Sequence, residues 1–337
     1  MKNNRVLIIA EAGVNYNGDI NIAKKMVEAA SDAGADIVKF QTGIAENVIS
    51  IFAEKAKYQK VNTHDEMGEE SQVEMAKKLN LPWDVYPELI ACCNENGIKF
   101  MSTPFDVDSA DYLHDLGQRL WKIPSGEITN LPYLRRIANY GEPVIMSTGM
   151  STIDEVRAAV SALKMGDAGP ITLLQCNTQY PTPYNDANIR AMLTLKEEFD
   201  CQVGYSDHTL GVEVSVAAVA LGASVIEKHF TLDRNMEGPD QIASIEPDEL
   251  KRLVDSIRNV ESALGSGIKL PSSSEKENMA VARKSIVAKR EIRAGEVLNE
   301  DNLACKRPGN GISPMLWDSV IGTIAKRDFA YDEQIEI

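Results

Sequence analysis

VLIIAEAG, residues 6–13, is an apolar run that ends on a carboxylate and a glycine, and the VNYNGD that follows contains no GxGxxG. A doubly wound dinucleotide-binding sheet needs those glycines after its first strand, so that fold is disfavoured from the start. Seven later segments share the character of the first: DIVKFQT (36–42), KFMSTPF (99–105), RLWKIPS (119–125), PVIMSTG (143–149), ITLLQC (171–176), CQVGYSDH (201–208) and SVIEKHF (224–230). Between them run stretches of helical periodicity, such as Ile22, Met26, Ala29, Ala30 and Ala33, or Val212, Val216, Val219 and Ala220. Short apolar strands alternating with amphipathic helices predict a parallel sheet, and eight such units predict an α/β fold closed as a (β/α)8 TIM barrel.

The alternation is interrupted once and ends once. Residues 43–81 form a long insertion holding AKYQK, the polar THDEMGEESQ and an amphipathic VEMAKKL, and long barrel loops are commonly functional. After a last helix placed near 246–264, GSGIKLPSSSEKEN has the Gly, Pro and Ser content of a linker. The expected organisation is a barrel over residues 1–266, a linker over 267–282 and a small strand-rich domain over 283–337.

Composition narrows the class. The chain of 337 residues is 44% hydrophobic and 25% charged, as in soluble globular proteins, and the opening apolar run is broken by Glu11 well before it could span a bilayer. A cytoplasmic protein with no membrane partner is expected. The net charge of -15 repels polyanions and argues against nucleic acid, while leaving room for a small anion held by lysines inside a cleft. Five cysteines without CxxC spacing point to idle or buried thiols.

Barrel active sites are assembled from the C-terminal ends of the strands, so those ends can be pooled. Lys39 and Lys122 fall inside strand runs, where an ammonium needs an anion from ligand or protein, Glu11 and Glu127 being protein candidates. With Thr103, Ser125, Ser147 and Ser206 they suggest a phosphate and carboxylate cradle. His208 and His229, two of four histidines, sit at neighbouring strand tips and suit a borderline divalent ion such as Mn, Fe, Co or Zn with open coordination positions. Glu11 and Glu127 are candidates for acid–base work, and Asp240 follows the His229 strand in a Gly-Pro-Asp loop.

EAGVNYNGD, ADIVKFQT, STPFD, WKIPSGEITNLPYL, STGMSTIDE, NTQYPTPY, GYSDHTLG, EKHFTLDRNMEGPD and KRPGNGISP together closely resemble the sialic acid synthase family, over nearly the whole chain. The resemblance implies a metal-dependent barrel with a C-terminal antifreeze-like, or SAF, domain that condenses phosphoenolpyruvate with an N-acylated amino sugar. It implies that His208 and His229 bind Mn2+, with Mg2+ or Co2+ as alternatives, and that Lys39, Thr103, Lys122, Ser125, Ser147 and Ser206 bind phosphoenolpyruvate. Glu127 would lie between the substrates. Gln41, Phe105, Thr178, Tyr180 and Asp240 would meet the sugar, and Arg307 would reach the acyl group in the partner subunit of a domain-swapped homodimer. Tyr16, Gln175, Gln179 and Gln241 depart from the family's usual residues, and the last three are expected near the sugar pocket. N-acetylmannosamine giving N-acetylneuraminate is the first expectation for the reaction. The alternatives are a 2,4-diacetamido-6-deoxy hexose giving N,N'-diacetyllegionaminate, a 6-phosphorylated sugar, and a sugar-acid binder without catalysis.

Overall fold

The computed structural model describes residues 5–65, 67 and 70–337; Glu66, Gly68 and Glu69 of the THDEMGEESQ stretch lie outside the described residues. Eight strands form one parallel sheet: β1 (Leu7–Gly13), β2 (Ile37–Thr42), β3 (Lys99–Pro104), β4 (Trp121–Ile123), β5 (Val144–Ser147), β6 (Ile171–Cys176), β7 (Gln202–Asp207) and β8 (Val225–His229). Their hydrogen-bonded order, β3-β2-β1-β8-β7-β6-β5-β4, is consecutive around a ring, and β1 pairing with β8 makes the sheet a barrel. Helices cover its outside. The last one, Pro247–Leu264, shows why: Leu250, Leu253, Val254 and Ile257 lie on one face and are buried against the sheet.

The ladder lacks a β3–β4 pairing, because β4 is only three residues long. A side chain fills the gap. The buried Gln118 amide accepts from Ser102 N at 2.8 Å and donates to Ser102 O at 2.9 Å, giving β3 the two partners a neighbouring strand would have supplied.

Within the barrel, side chains alternate in and out, so each strand presents every second residue to the interior. Ile9, Ile37, Met101, Ile145, Leu174 and Val225 form a closed aliphatic plug, edged by Leu7 and Leu120. Gly204 completes this layer because nothing larger fits: a Cβ there would lie 2.3 Å from Val225 O and 2.7 Å from Leu174 Cδ2. One step along each strand the character inverts. Two residues beyond the plug come Glu11, Lys39, Thr103, Lys122, Ser147, Cys176, Ser206 and Glu227.

The chain divides at Gly265 into two compact units. In the second, Ser266–Ile337, β9 (Ser285–Ala288) and β10 (Leu303–Lys306) pair antiparallel over a core of Ile286, Leu298, Leu303, Val320, Phe329 and Ile335. The 267–282 segment is more structured than its composition suggests, for Ser272 caps a turn that runs into a helix at Lys276–Ala282. No helix among the described residues is long and apolar enough to cross a membrane.

Replacing Gln118 by alanine strips two buried backbone groups of their partners and should lower unfolding stability by about 2 kcal/mol. An unchanged urea midpoint would show that the β3 edge does not depend on that amide.

Candidate active site

The inverted layer is an ion-pair network. Lys39 Nζ lies 2.7 Å from Glu11 Oε2 and 3.4 Å from Glu227 Oε2, and donates to Thr103 Oγ1 at 2.9 Å. Lys122 Nζ lies 3.5 Å from Glu227 Oε1 and donates to Ser147 Oγ at 2.8 Å, while Ser206 Oγ donates to Glu227 Oε1 at 2.9 Å. All four ionic side chains are almost wholly buried. Burial works against the charge of both lysines; Glu11 and Glu227 outweigh it at Lys39, which is held above its ordinary range, whereas Lys122 is held below it. Lys122 is therefore the cation short of negative charge. Burial alone would raise Glu227, but Lys122 and Lys39 pull it down to about 2; Glu11 is pushed up, by burial and then by Glu227.

Above this floor stand the two imidazoles. His208 Nδ1 bonds the carbonyl of Asn177, which turns its other nitrogen toward the cavity side of the ring. His229 Nδ1 is buried with no hydrogen-bond partner and lies 3.9 Å from Asp240 Oδ2. Burial, then His208 and Lys39, holds His229 well below the ordinary histidine range, so its ring is neutral. His208 differs: burial opposes its charge, but Cys176 and the Asn177 carbonyl outweigh burial and hold it above the ordinary histidine range. Only the His229 ring is therefore kept neutral with a spare nitrogen, the form that can ligate a divalent ion. Among the described residues no group of three or more His, Cys, Asp or Glu side chains is arranged to hold a metal ion, and the His208 and His229 rings stand with centroids 5.2 Å apart. Behind the strand tips, on the outward face, Lys228 pairs with Asp207 at 3.0 Å and donates to Thr209 O at 2.7 Å, tying the ends of β7 and β8 together.

All of this opens into one cavity of about 650 Å3, within the ordinary range for small-molecule sites. Its lining brings together Glu11, Lys39, Gln41, Thr103, Phe105, Lys122, Ser125, Ser147, Thr178, Tyr180, Ser206, His208, His229 and Asp240. Ser125 enters from the turn after β4, where its Oγ accepts from Gly149 N at 3.0 Å. Tyr180 stacks on His208, with ring centroids 4.1 Å apart, and meets His229 edge-on. Burial pushes the Asp240 carboxyl up to about 6, against the pull of His208.

One expectation, that all three variant glutamines lie near the sugar pocket, needs correction. Glu127 ends a tight turn, Ser125–Glu127, whose first two residues line the cavity; its carboxylate accepts from Asn130 at 2.6 Å and is pushed up by burial, and Lys122 pairs with Glu227. Arg307 belongs to the C-terminal unit, where its Nε donates to Ala282 O at 3.1 Å. Of the three variant glutamines only Gln179 lines the cavity; Gln175 faces outward to Ala187 O, and Gln241 is buried against Asn15 O and Thr231. Strand alternation could have located Glu227, since in SVIEKHF residues 227 and 229 share a face. The same rule puts Cys176 inside, 3.9 Å from His208 Nδ1, and Tyr58 of the insertion, stacked on Tyr180 at 5.1 Å, was not signalled by spacing at all.

Fold and site define a (β/α)8-barrel protein with a polar, ion-paired cavity at the C-terminal ends of its strands, joined to a small C-terminal domain. The chain belongs to the NeuB family, whose model matches residues 26–269, and residues 283–336 match the SAF domain. It is 52% identical to the N,N'-diacetyllegionaminic acid synthase of Campylobacter jejuni over 98% of this chain and 99% of that one, and 47% identical to the enzyme of the same name from Legionella pneumophila over 94% and 89%. The structure resembles that of an N-acetylneuraminic acid (sialic acid) synthetase from Leptospira borgpetersenii in complex with citrate, with a TM-score of 0.72 and 37% identity over 82% of this chain and 91% of that one.

Glu227→Gln keeps the volume but removes the charge shared by two buried lysines. It should cost about 3 kcal/mol of unfolding stability, read from urea denaturation; a wild-type midpoint would mean that the network is not what holds the lysines in place.

Proposed function

We propose that this chain condenses phosphoenolpyruvate with the aldehyde of 2,4-diacetamido-2,4,6-trideoxymannose to give N,N'-diacetyllegionaminate and phosphate. The observation that carries the reading is the pair of buried lysines, with hydroxyls interleaved, set directly beneath two converging imidazoles in one cavity. The acceptor follows from the relatives: identity to the two diacetyllegionaminic acid synthases favours this sugar over N-acetylmannosamine.

In this reading Lys122 and Lys39, with Thr103, Ser125, Ser147 and Ser206, hold the phosphate and carboxylate of phosphoenolpyruvate. An anion beside Lys122 supplies the negative charge that Glu227 shares between two cations. The cradle fixes C3 of phosphoenolpyruvate against C1 of the sugar, replacing a chance encounter by a positioned attack. A carbon–carbon bond forms, water adds at C2, and the C2–O bond to phosphate breaks. A divalent ion, Mn2+ in the first place and Mg2+ or Co2+ as substitutes, would be held by His208 and His229 and would polarise the aldehyde carbonyl. Gln41, Thr178, Tyr180 and Asp240 line the side of the cavity left for the sugar. Burial pushes up the carboxyls of Glu11 and Glu127, and that of Asp240 to about 6, which makes these three the candidates to hold a proton, Glu127 between the two substrates. A cytoplasmic homodimer in which Arg307 serves a second copy's sugar is part of the same proposal.

Phosphate release from phosphoenolpyruvate should require both the diacetamido sugar and a divalent ion. His208→Ala should keep the fold by circular dichroism, lose Mn2+ binding by calorimetry and lose turnover by about 1,000-fold or more. Full activity after chelation, or no phosphate release with any amino sugar, would overturn the reading.

A further inference from the structure

The cavity has two halves built from different pieces of chain. Strand ends make the ionic floor; the insertion at 43–81 makes a wall. In that insertion the helix Gln72–Leu79 presents Gln72, Met75, Ala76 and Leu79 to the cavity, spaced i, i+3, i+4 and i+7, which is one complete helix face. Its charges lie elsewhere: Lys77 pairs with Glu46, and Lys78 with Glu70. Past Gln72 the stripe is apolar; Met75, Ala76 and Leu79 would ordinarily pack into a protein core, and here they line the cavity. Val48, Ile49 and Phe105 extend it. Phe105 and Val48 converge over Gly43, where a Cβ would sit 3.3 Å from Phe105 Cβ, 3.6 Å from Val48 Cγ2 and 3.8 Å from Asp106 Oδ2, so the wall closes against the end of β2. The two ends of the insertion are tied together by Asn80 Nδ2 donating to Gly43 O at 2.7 Å, and Asn62 Nδ2 pins it to the barrel loops by donating to Pro239 O at 2.6 Å.

Cations are absent from this face. Of the three lysines that line the cavity, Lys39 and Lys122 are engaged at the floor, and Lys57 stands exposed on the helix that carries Tyr58. A phosphate group buried against the wall would find no charge to pair with, and a hydroxymethyl group beside Met75, Ala76 and Leu79 would lose water, with Gln72 at the N-terminal end of the stripe as the one polar partner on this face.

We infer that the apolar face of the Gln72–Leu79 helix, with Val48, Ile49 and Phe105, is the specificity surface for the end of the acceptor remote from its aldehyde, and that it selects methyl-bearing substituents, a deoxy carbon and an acetamido methyl, over hydroxymethyl or phosphate. The inference rests on the synthase reading and goes beyond it, by naming the residues that choose the sugar. Hydrophobic pockets reject an added hydroxyl only modestly, by about 100-fold at most, so the preference should be graded rather than absolute.

The test measures kcat/KM for three acceptors with saturating phosphoenolpyruvate: the diacetamido-trideoxy sugar, N-acetylmannosamine and its 6-phosphate. Leu79→Gln and Val48→Thr alter positions already partly exposed, and Met75→Gln alters the buried centre of the stripe. The wild type should favour the trideoxy sugar over N-acetylmannosamine. Leu79→Gln and Met75→Gln should each cut that ratio about tenfold, through the acceptor's KM, with the KM for phosphoenolpyruvate unchanged. An unchanged ratio in all three variants, or a wild type that uses the 6-phosphate as well as the trideoxy sugar, overturns the inference and leaves the synthase reading standing. Failure of the wild type to form product with any acceptor overturns both.

Discussion

Two lysines and two glutamates buried at mid-barrel are the constraint on which the site depends. Removing such charges from water costs more than any single contact returns, so the arrangement survives only where geometry is fixed on every side. The aliphatic plug of Ile9, Ile37, Met101, Ile145, Leu174 and Val225 supplies a rigid base one residue pair below. Ser147, Ser206 and Thr103 add hydrogen bonds within the layer, and the outward Asp207–Lys228 pair holds the strand tips that carry His208 and His229. Even so, one Glu227 is shared between Lys39 and Lys122, which leaves the interior with an appetite for an anion.

Much of the fold could be read from the chain alone. Parallel barrel strands are buried on both faces, so they appear as near-continuous apolar runs that stop at a polar tip, and VLIIAEAG or SVIEKHF is recognisable without neighbours. That Lys39 and Lys122 would need buried anions was legible for the same reason, since a lysine inside a strand run demands a partner, and Glu11 and Glu227 are those partners. What stayed hidden depends on contacts across the sequence. Nothing local marks Gln118 as a substitute for a strand edge, because the gap it fills is created by the shortness of β4. Glu127 looked like a strand-end acid, yet the turn after Pro124 breaks the alternation and carries its carboxylate to Asn130. Periodicity identified VEMAKKL as amphipathic but could not say what its apolar face would meet.

The division of the cavity gives the chain a physical logic. The barrel interior, fixed by layers of strand residues, handles charge. The insertion, pinned at Asn62 and tied end to end at Asn80 but free of the sheet's register, handles shape. Under the proposed function, chemistry and selectivity can change separately, one by altering strand ends and the other by altering a single helix face.

The central claim is that Lys122, held below its ordinary range by burial, is kept for an anionic ligand. Calorimetric titration of phosphoenolpyruvate into the wild type and Lys122→Met, with the sugar omitted, addresses it most directly. The account predicts a dissociation constant raised about 100-fold or more in a variant that remains folded; equal affinity in the two proteins would contradict it.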